Sequence, residues 1–267
     1  MNAARVAAKS LFAVSDLLMP RLPGPRILIY HQVGSHRTHE MNVESYVFRQ
    51  QLDWMRAHGE IVSLDEAIHR RSEPNAHRLF VISFDDGYRD VFVNAFPIMA
   101  KEAIPFTLYL TSGPIESPDK FPGWPGEPLT WYQVQSMFNS GLVTLGAHTH
   151  THRDLRSLDE LAIAEELDRS NQIIHDRTGT IPEHFTYPKG WWSAQADNLI
   201  RVRYRTATTG NGVWRTRTTN LHRIHRIPVQ RSDVGKLFTR KVISGARVEG
   251  VLRVLIRSRQ VPREAAL

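Results

Sequence analysis

The stretch LFVISFDDG at residues 79–87 decides the fold class of this 267-residue chain. Its first six residues form an apolar run with the length and composition of a buried strand, and two carboxylates and a glycine follow directly. Helical patterns separate it from other strand-like runs, which lie at residues 26–31, 105–110, 142–147, 184–187, 204–208 and 224–229. This alternation predicts an α/β fold with a parallel sheet, as an incomplete, distorted (β/α) barrel of about seven strands in a single domain.

A second polar cluster follows another of these strands. The sequence HTHTH at residues 148–152 comes directly after the apolar run at 142–147. A solvated turn would explain Asp-Asp-Gly alone, and a structural role would explain one histidine, but three histidines in five positions are harder to explain in this way. Functional groups of such folds gather at the carboxyl ends of the strands. The two clusters are therefore expected to meet.

The residue types of the two clusters point to one kind of chemistry. A carboxylate and two imidazoles form a three-ligand site with room for water, which is the usual form of a catalytic divalent metal. The chain has no cysteine, so its metal ligands must be nitrogen and oxygen atoms. A second, adjacent carboxylate is the general base that attack by water requires. These residues predict metal-assisted hydrolysis and name no substrate.

Three motifs carry a family resemblance. SFDDG at residues 83–87 resembles the first motif of the polysaccharide deacetylases, the family that shares a domain with the nodulation chitooligosaccharide deacetylase and forms carbohydrate esterase family 4. HTHTH at 148–152 fits the second motif, and FTYPKG at 185–190 resembles the third. Tyr30-His31 and Tyr187-Pro188 are most similar to the branch that deacetylates poly-N-acetylglucosamine and related exopolysaccharides.

The resemblance implies a hydrolase acting on carbon–nitrogen bonds, which removes N-acetyl groups from an N-acetylhexosamine-containing polysaccharide or glycan precursor during exopolysaccharide biosynthesis. Carried over to this sequence, Asp86, His148 and His152 bind one divalent metal ion. Zinc is the expected ion, with cobalt and nickel as alternatives. Asp85 is the general base, and His150 lies between the ligands without binding the metal.

Further residues are expected to contact the glycan. The third motif implies a groove wall and a backbone N–H near Lys189 that stabilises the oxyanion. The two tryptophans that follow this motif could stack on sugar rings, and the histidine that ends the first strand could either line the pocket or be structural. The predicted substrate-binding residues are His31, Tyr187, Pro188, Lys189, Gly190, Trp191 and Trp192.

Two departures from the family pattern leave alternatives open. Many members have an arginine that orients the base at the position of Thr186. The family also supplies a histidine general acid from a late Leu-x-His motif, whereas this chain offers His222 and His225 without that spacing. The alternatives are a deacylase for another acylated sugar, formamido or O-acetyl, and a glycan-binding protein without catalysis.

Charge and termini give the remaining expectations. The net charge is +7 and the sequence pI about 9.9, but no basic arm with interleaved aromatics is present, so nucleic acid is not an expected partner.

The predicted organisation is an amphipathic N-terminal segment (1–25), a catalytic domain (26–230) and a basic helical C-terminal extension (231–267). The N-terminal apolar run superficially resembles a signal peptide, but Asp16 interrupts it, no small-x-small cleavage site follows, and it is too short to span a bilayer. The expected location is the cytoplasm or the inner face of a membrane, with peripheral association through the termini.

Overall fold

The computed structural model describes residues 23–210 and 220–244. The predicted amphipathic segment at 1–25 lies almost entirely outside these ranges, as does most of the basic extension at 231–267. The division of the chain into these three parts therefore stays a prediction.

All seven predicted strand segments form strands, and they pair in parallel. Most boundaries lie within two residues of those predicted. The strands are β1 (Arg26–Tyr30), β2 (Gln32–Val33), β3 (Asn42–Val43), β4 (Glu60–Ile61), β5 (Leu79–Phe84), β6 (Phe106–Leu110), β7 (Val143–Ala147), β8 (His184–Thr186), β9 (Thr206–Thr209), β10 (Ile224–His225) and β11 (Ile227–Pro228). The main sheet runs in the order β10-β9-β8-β7-β6-β5-β1-β11, and this confirms the predicted fold class.

One short segment closes the barrel. The predicted strand at 224–229 is divided at Arg226, so that the sheet path counts eight strands rather than seven. Its first half, β10, pairs with β9, and its second half, β11, pairs with β1 at the other end of the path. Arg226 itself is 1% exposed. This break places an arginine side chain inside the barrel.

Helices occupy the connections between strands. They are α1 (Ser45–His58), α2 (Leu64–His69), α3 (Phe96–Lys101), α4 (Ser112–Glu116), α5 (Trp131–Phe138), α6 (Glu160–Thr178), α7 (Ala194–Arg201) and α8 (Lys236–Ser244). The main core lies between these helices and the strands. Strands β1, β5 and β6 are buried at every position, as expected for parallel strands covered on both faces. None of the described helices combines the length and apolar character that a membrane span needs.

Local capping explains where two helices begin and one ends. Thr130 and Gln133 form a capping box at the start of α5, and Gly179 ends α6 with φ of 73°. Ser157 and Glu160 have the spacing of a capping box, but Asp159 caps α6, because its side chain accepts the hydrogen bond from the Ala162 N–H. Ser157 instead belongs to a short 3₁₀ turn that precedes the helix.

The stretch at residues 113–128 is rich in glycine and proline, a composition typical of a surface loop, but only part of it is a loop. Its first residues belong to α4, in which Ser112–Ile115 are buried. The loop proper begins after Glu116 and returns along the strand ends through Trp124 and Pro125. This part of the chain therefore contributes to the mouth of the barrel.

Candidate metal centre and active site

The two polar clusters meet at one cavity at the carboxyl ends of β5 and β7. The volume of this active-site cavity is about 390 Å³. The side chains and backbone that line it come from both clusters, from the ends of β1 and β11 and from two loops: Ile29, His31, Met41, Asp85, Asp86, Tyr88, Trp124, Pro125, His148, His152, Lys189, Gly190, Gly210, Arg226, Pro228, Val229 and Gln230. The predicted position of the site at the strand ends is the observed one.

The backbone at this cavity adopts left-handed conformations. Five non-glycine residues of the described chain have positive φ, and four belong to the site motifs: Asp86 (74°), Thr149 (66°), His152 (60°) and Lys189 (59°). Such conformations cost free energy and persist where the surroundings hold them, most often at functional sites. They turn the chain sharply after β5 and β7, which directs both clusters inward.

Three side chains converge on one point. The Nε2 atoms of His148 and His152 lie 3.4 Å and 3.5 Å from Asp86 Oδ1, and the three ligand atoms all lie within 4.8 Å of one another. His148 Nδ1 lies 2.8 Å from the Thr186 carbonyl oxygen. Since a carbonyl only accepts, Nδ1 carries the proton and the lone pair of Nε2 faces Asp86.

The donor set fits a divalent metal ion. Asp86 Oδ1 is buried and has no hydrogen-bond partner among the described residues, a costly state for a carboxylate oxygen unless a cation is close. Burial would raise the pKa of Asp86, but His148 and His152 outweigh burial and hold it well below its usual range. Burial lowers the pKa of His152 to about 4, so that its imidazole is neutral near pH 7, as a ligand must be.

Arg226 holds the second carboxylate. Its Nη1 and Nη2 donate to Asp85 Oδ1 and Oδ2, both at 2.7 Å, and Nη2 also donates to Thr186 Oγ1 at 2.5 Å. Nη1 donates to Ser83 Oγ as well, at 3.0 Å. Burial raises the pKa of Asp85, but the charge and hydrogen bonds of Arg226 outweigh it and hold that pKa below its ordinary value.

Arg226 was not predicted from the sequence, because the family pattern places the orienting arginine at position 186. The Thr186 hydroxyl accepts from the guanidinium, so an arginine from the last strand segment contacts Asp85 in a chain that has threonine at position 186. Burial along this segment alternates, with Ile224 and Arg226 buried and His225 exposed. An arginine at a core-facing position of a predicted strand was the available signal.

A buried carboxylate anchors the histidine loop. Glu166 of α6 accepts hydrogen bonds from the backbone N–H groups of His150 and Thr151, at 3.1 Å and 2.8 Å, and from the Thr151 hydroxyl. Glu166 is 7% exposed. Because these bonds fix the residues between His148 and His152, Glu166 sets the spacing of the two imidazoles.

Replacing Glu166 by alanine is expected to weaken zinc binding by about 10–100-fold, the usual effect of losing a group that orients metal ligands. The matched control is Glu165→Ala, since Glu165 is the exposed neighbour on the same helix. Isothermal titration calorimetry of the apoprotein with zinc measures the affinity. Equal zinc affinities for the two variants would contradict this role for Glu166.

The other predicted site residues divide into two groups. His31, Lys189 and Gly190 line the active-site cavity. Those that do not line it are Tyr187, Pro188, Trp191, Trp192, His222 and His225.

The residues outside the cavity make other contacts. The Tyr187 hydroxyl donates to Asp197 Oδ1 at 3.1 Å, and Arg156 and Arg223 stack on Trp191 and Trp192 at 3.9 Å and 3.5 Å. His222 Nε2 donates to the Tyr204 carbonyl oxygen, and His225 is exposed, with Nδ1 3.2 Å from Thr209 Oγ1. Neither histidine predicted as the general acid lines the cavity.

Two aromatic residues at the cavity were not predicted to belong to it. The ring of Trp124 lies 5.8 Å from that of His152 and 6.0 Å from that of Tyr88. Tyr88 is fully buried beside Asp86. Its position directly after the Asp-Asp-Gly motif was the available signal.

Comparisons with known proteins agree with this geometry. Residues 72–205, half of the chain, match the family model described as polysaccharide deacetylase. The chain is 30% identical over 161 residues to a poly-beta-1,6-N-acetyl-D-glucosamine N-deacetylase of Staphylococcus epidermidis, covering 58% of this chain and 53% of that protein. It is 31% identical over 120 residues to the protein of the same name in Escherichia coli, covering 41% of this chain and 18% of that one.

Among solved structures, the fold is similar to that of IcaB from Ammonifex degensii, with a TM-score of 0.69 and 25% sequence identity. This match covers 84% of the present chain and 98% of the other. The chain spans about half the length of the staphylococcal relative and less than a fifth of the one from E. coli. The matches confirm the resemblance that the three motifs predict.

Proposed function

This chain belongs to the polysaccharide deacetylase family, and we propose that it removes N-acetyl groups by hydrolysis from an N-acetylglucosamine-containing polysaccharide or its precursor. The convergence of Asp86, His148 and His152 beside a carboxylate held by Arg226 carries the proposal. The relatives named as poly-N-acetylglucosamine N-deacetylases support the choice of substrate. The substrate, and a role in exopolysaccharide biosynthesis, are part of this proposal.

The metal ligands in this proposal are Asp86 Oδ1 and the Nε2 atoms of His148 and His152. One carboxylate and two imidazoles without a thiolate suit zinc, and also cobalt or nickel. When bound, such an ion polarises the acyl carbonyl and lowers the pKa of the attacking water. Zinc is the proposed native ion.

Asp85 is the proposed general base. Both of its oxygens accept from Arg226, which fixes the carboxylate plane at the cavity wall and keeps the group ionised at neutral pH. An ionised carboxylate so positioned accepts the proton of the water that attacks the acetyl carbon. The backbone N–H near Lys189, which lines the cavity, is the proposed donor to the oxyanion.

His31 is the proposed general acid. The leaving group of amide hydrolysis is an amine, which must receive a proton as the carbon–nitrogen bond breaks. His31 lines the cavity, and its charge would act on Asp85, Asp86 and His152. Its Nδ1 is buried without a hydrogen-bond partner among the described residues. His222 and His225, the acids predicted from sequence, lie outside the cavity lining.

Replacing His31 by glutamine is expected to lower kcat for an N-acetyl substrate by about 10²–10³-fold, because the amine then leaves without its proton. Hydrolysis of an aryl acetate is expected to fall much less, since a phenolate leaves unprotonated. His222→Gln and His225→Gln are the matched controls, and both are expected to keep kcat. Loss of amidase activity in His225→Gln, but not in His31→Gln, would overturn the assignment.

A substrate panel tests the proposal as a whole. The purified protein, loaded in turn with zinc, cobalt and nickel, is offered N-acetyl, N-formyl and O-acetyl forms of glucosamine oligomers. Release of acetate from the N-acetyl form at the highest kcat/KM supports the proposal. Faster hydrolysis of the formamido or O-acetyl sugar would move the assignment to another deacylase, and no hydrolysis would favour a glycan-binding protein.

Peripheral association with an anionic membrane through the two terminal segments, and a location in the cytoplasm or at the inner membrane face, stay predictions. The net charge of +7 supports the first of these.

A further inference from the structure

Buried polar atoms without partners are concentrated at the active-site cavity. Six residues that line it each have one buried side-chain atom with no hydrogen-bond partner in the described part of the chain: His31 Nδ1, Asp86 Oδ1, Tyr88 Oη, Trp124 Nε1, Arg226 Nε and Gln230 Oε1. A buried polar atom without a partner costs free energy. The partners of such a group of atoms are therefore expected to come with a ligand.

Gln230 Oε1 differs in its chemistry from the other five atoms. Asp86 Oδ1 is assigned to the metal, and His31 to the general acid. The indole and guanidinium nitrogens carry hydrogens and only donate, whereas a phenolic hydroxyl both donates and accepts. The side-chain oxygen of Gln230 only accepts, so the partner that it needs is an N–H or O–H group of the ligand.

Gln230 lies beside His31 at the ends of two paired strands. Strands β1 and β11 are parallel, with Ile29 opposite Pro228, and the Val229 N–H donates to the Ile29 carbonyl oxygen at 2.9 Å. Two residues further along this register, His31 and Gln230 stand level, on the side of the strands that carries Ile29 and Pro228. All four of these residues line the cavity. The acceptor is thus next to the group proposed to protonate the leaving nitrogen.

The backbone of Gln230 is fixed by its neighbours. Its N–H donates to Asp233 Oδ2 at 2.8 Å, and its carbonyl oxygen accepts from the Asp233 N–H at 2.8 Å. Asp233 is 1% exposed, and Lys241 Nζ donates to the same Oδ2 at 2.8 Å. The next residue is held as well, since the Arg231 N–H donates to the Glu40 carbonyl oxygen. A side chain on a backbone held in this way loses less conformational entropy when a ligand binds.

We propose that Gln230 Oε1 accepts a hydrogen bond from the N–H of the acetamido group that is hydrolysed, and that this contact selects N-acetyl over O-acetyl sugars. The inference rests on the proposed function and deepens it, because it names the residue that recognises the atom linking the acetyl group to the sugar. An ester has an oxygen at this position, which carries no hydrogen and leaves the buried acceptor unpaired.

The same contact strengthens during the reaction. As the carbon–nitrogen bond breaks, the nitrogen receives a proton from His31 and its N–H groups become more polar. A hydrogen bond from a charged donor is stronger than one from a neutral donor. An interaction that is stronger in the transition state than in the bound substrate raises kcat as well as kcat/KM.

The test removes the acceptor and keeps the length of the side chain. Gln230→Met is compared with Gln230→Glu, which keeps an acceptor, and with Gln172→Met, which changes an exposed glutamine of α6 outside the cavity lining. The substrates are the N-acetylglucosamine pentamer and a glucose pentamer that carries the acetyl groups as esters on the 2-hydroxyls. Acetate release from both is measured, with the temperature of unfolding and the metal content determined on the same samples.

Gln230→Met is expected to lower kcat/KM for the N-acetyl pentamer about 10–100-fold and to leave that for the ester within about threefold of the wild-type value. Gln230→Glu and Gln172→Met are expected to keep the wild-type ratio of the two kcat/KM values within about threefold. The pH dependence of kcat for the N-acetyl pentamer is expected to keep its shape in Gln230→Met, because an amide side chain does not titrate.

Three outcomes would overturn the role of Gln230 as an acceptor: equal losses on both substrates, no loss on either, or a loss in Gln230→Glu as large as in Gln230→Met. A changed pH dependence in Gln230→Met would attribute the effect to His31 and would overturn it too. No acetate from any substrate with the wild-type protein would instead refute the proposed function.

Discussion

Replacing Asp85 by asparagine is expected to lower kcat for acetate release by about 10²–10⁴-fold, the range that a general base contributes. The amide has nearly the shape of the carboxylate and can still accept one hydrogen bond from Arg226, but it takes no proton from water. The metal ligands are untouched, because Asp86 points to the two histidines rather than to Arg226. Metal content is therefore expected to stay at the wild-type value.

The control for this variant is Asp176→Asn, an exposed carboxylate on α6 outside the cavity. Acetate release is measured at saturating substrate, with metal content determined on the same samples. An Asp85→Asn protein that keeps most of its kcat would show that Asp85 is not the base. Loss of the metal in this variant would place Asp85, rather than Asp86, among the ligands.

Replacing Arg226 by methionine is expected to lower the free energy of unfolding by about 3–5 kcal/mol, the cost of leaving a buried charge without its partner. Arg226 and Asp85 are 1% and 4% exposed, so water does not replace the lost hydrogen bonds. Activity is expected to fall as well, because the carboxylate loses both the bonds that orient it and the charge that keeps it ionised. Denaturant unfolding and acetate release measure the two effects.

A double variant separates the charge from the packing. In Asp85→Asn/Arg226→Met both members of the buried ion pair are gone and neither is left as an unpaired charge, so stability is expected to recover in part while activity stays lost. Arg223→Met is the matched control on the same segment, since the Arg223–Asp197 contact is longer, at 3.4 Å, and the arginine is 42% exposed. A loss of stability in Arg226→Met no larger than in Arg223→Met would contradict the role of the buried pair.

The elements that sequence predicts well here are those set by local pattern. The run at residues 79–84 is apolar throughout and ends at two carboxylates, so both the strand and the location of Asp85 and Asp86 follow from it. The histidine cluster is found in the same way at the end of β7. Since parallel strands bring their carboxyl ends together, these two local patterns were enough to predict that carboxylates and imidazoles meet at one site, whereas the choice of Asp86, His148 and His152 came from the family resemblance.

Contacts across large sequence distances were not predictable in this way. Arg226 reaches Asp85 only because β11 pairs with β1, a contact that joins the two ends of the barrel. On the same segment, His225 faces outward because strand residues alternate between the two faces, and it therefore lies away from the cavity. Trp124 and Glu166 likewise reach the site through the path of a loop and the packing of α6, and these depend on the folded barrel as a whole.

The most direct test of the central claim compares the purified wild-type protein with His148→Ala. Metal content and acetate release from N-acetylglucosamine oligomers are measured for both. His148 is buried and bound to the Thr186 carbonyl oxygen, with Nε2 directed at Asp86. The wild-type protein is expected to hold about one divalent ion per chain and to release acetate, and the variant to have lost both. A wild-type protein that binds no divalent metal, or a variant that releases acetate at the wild-type rate, would contradict the account.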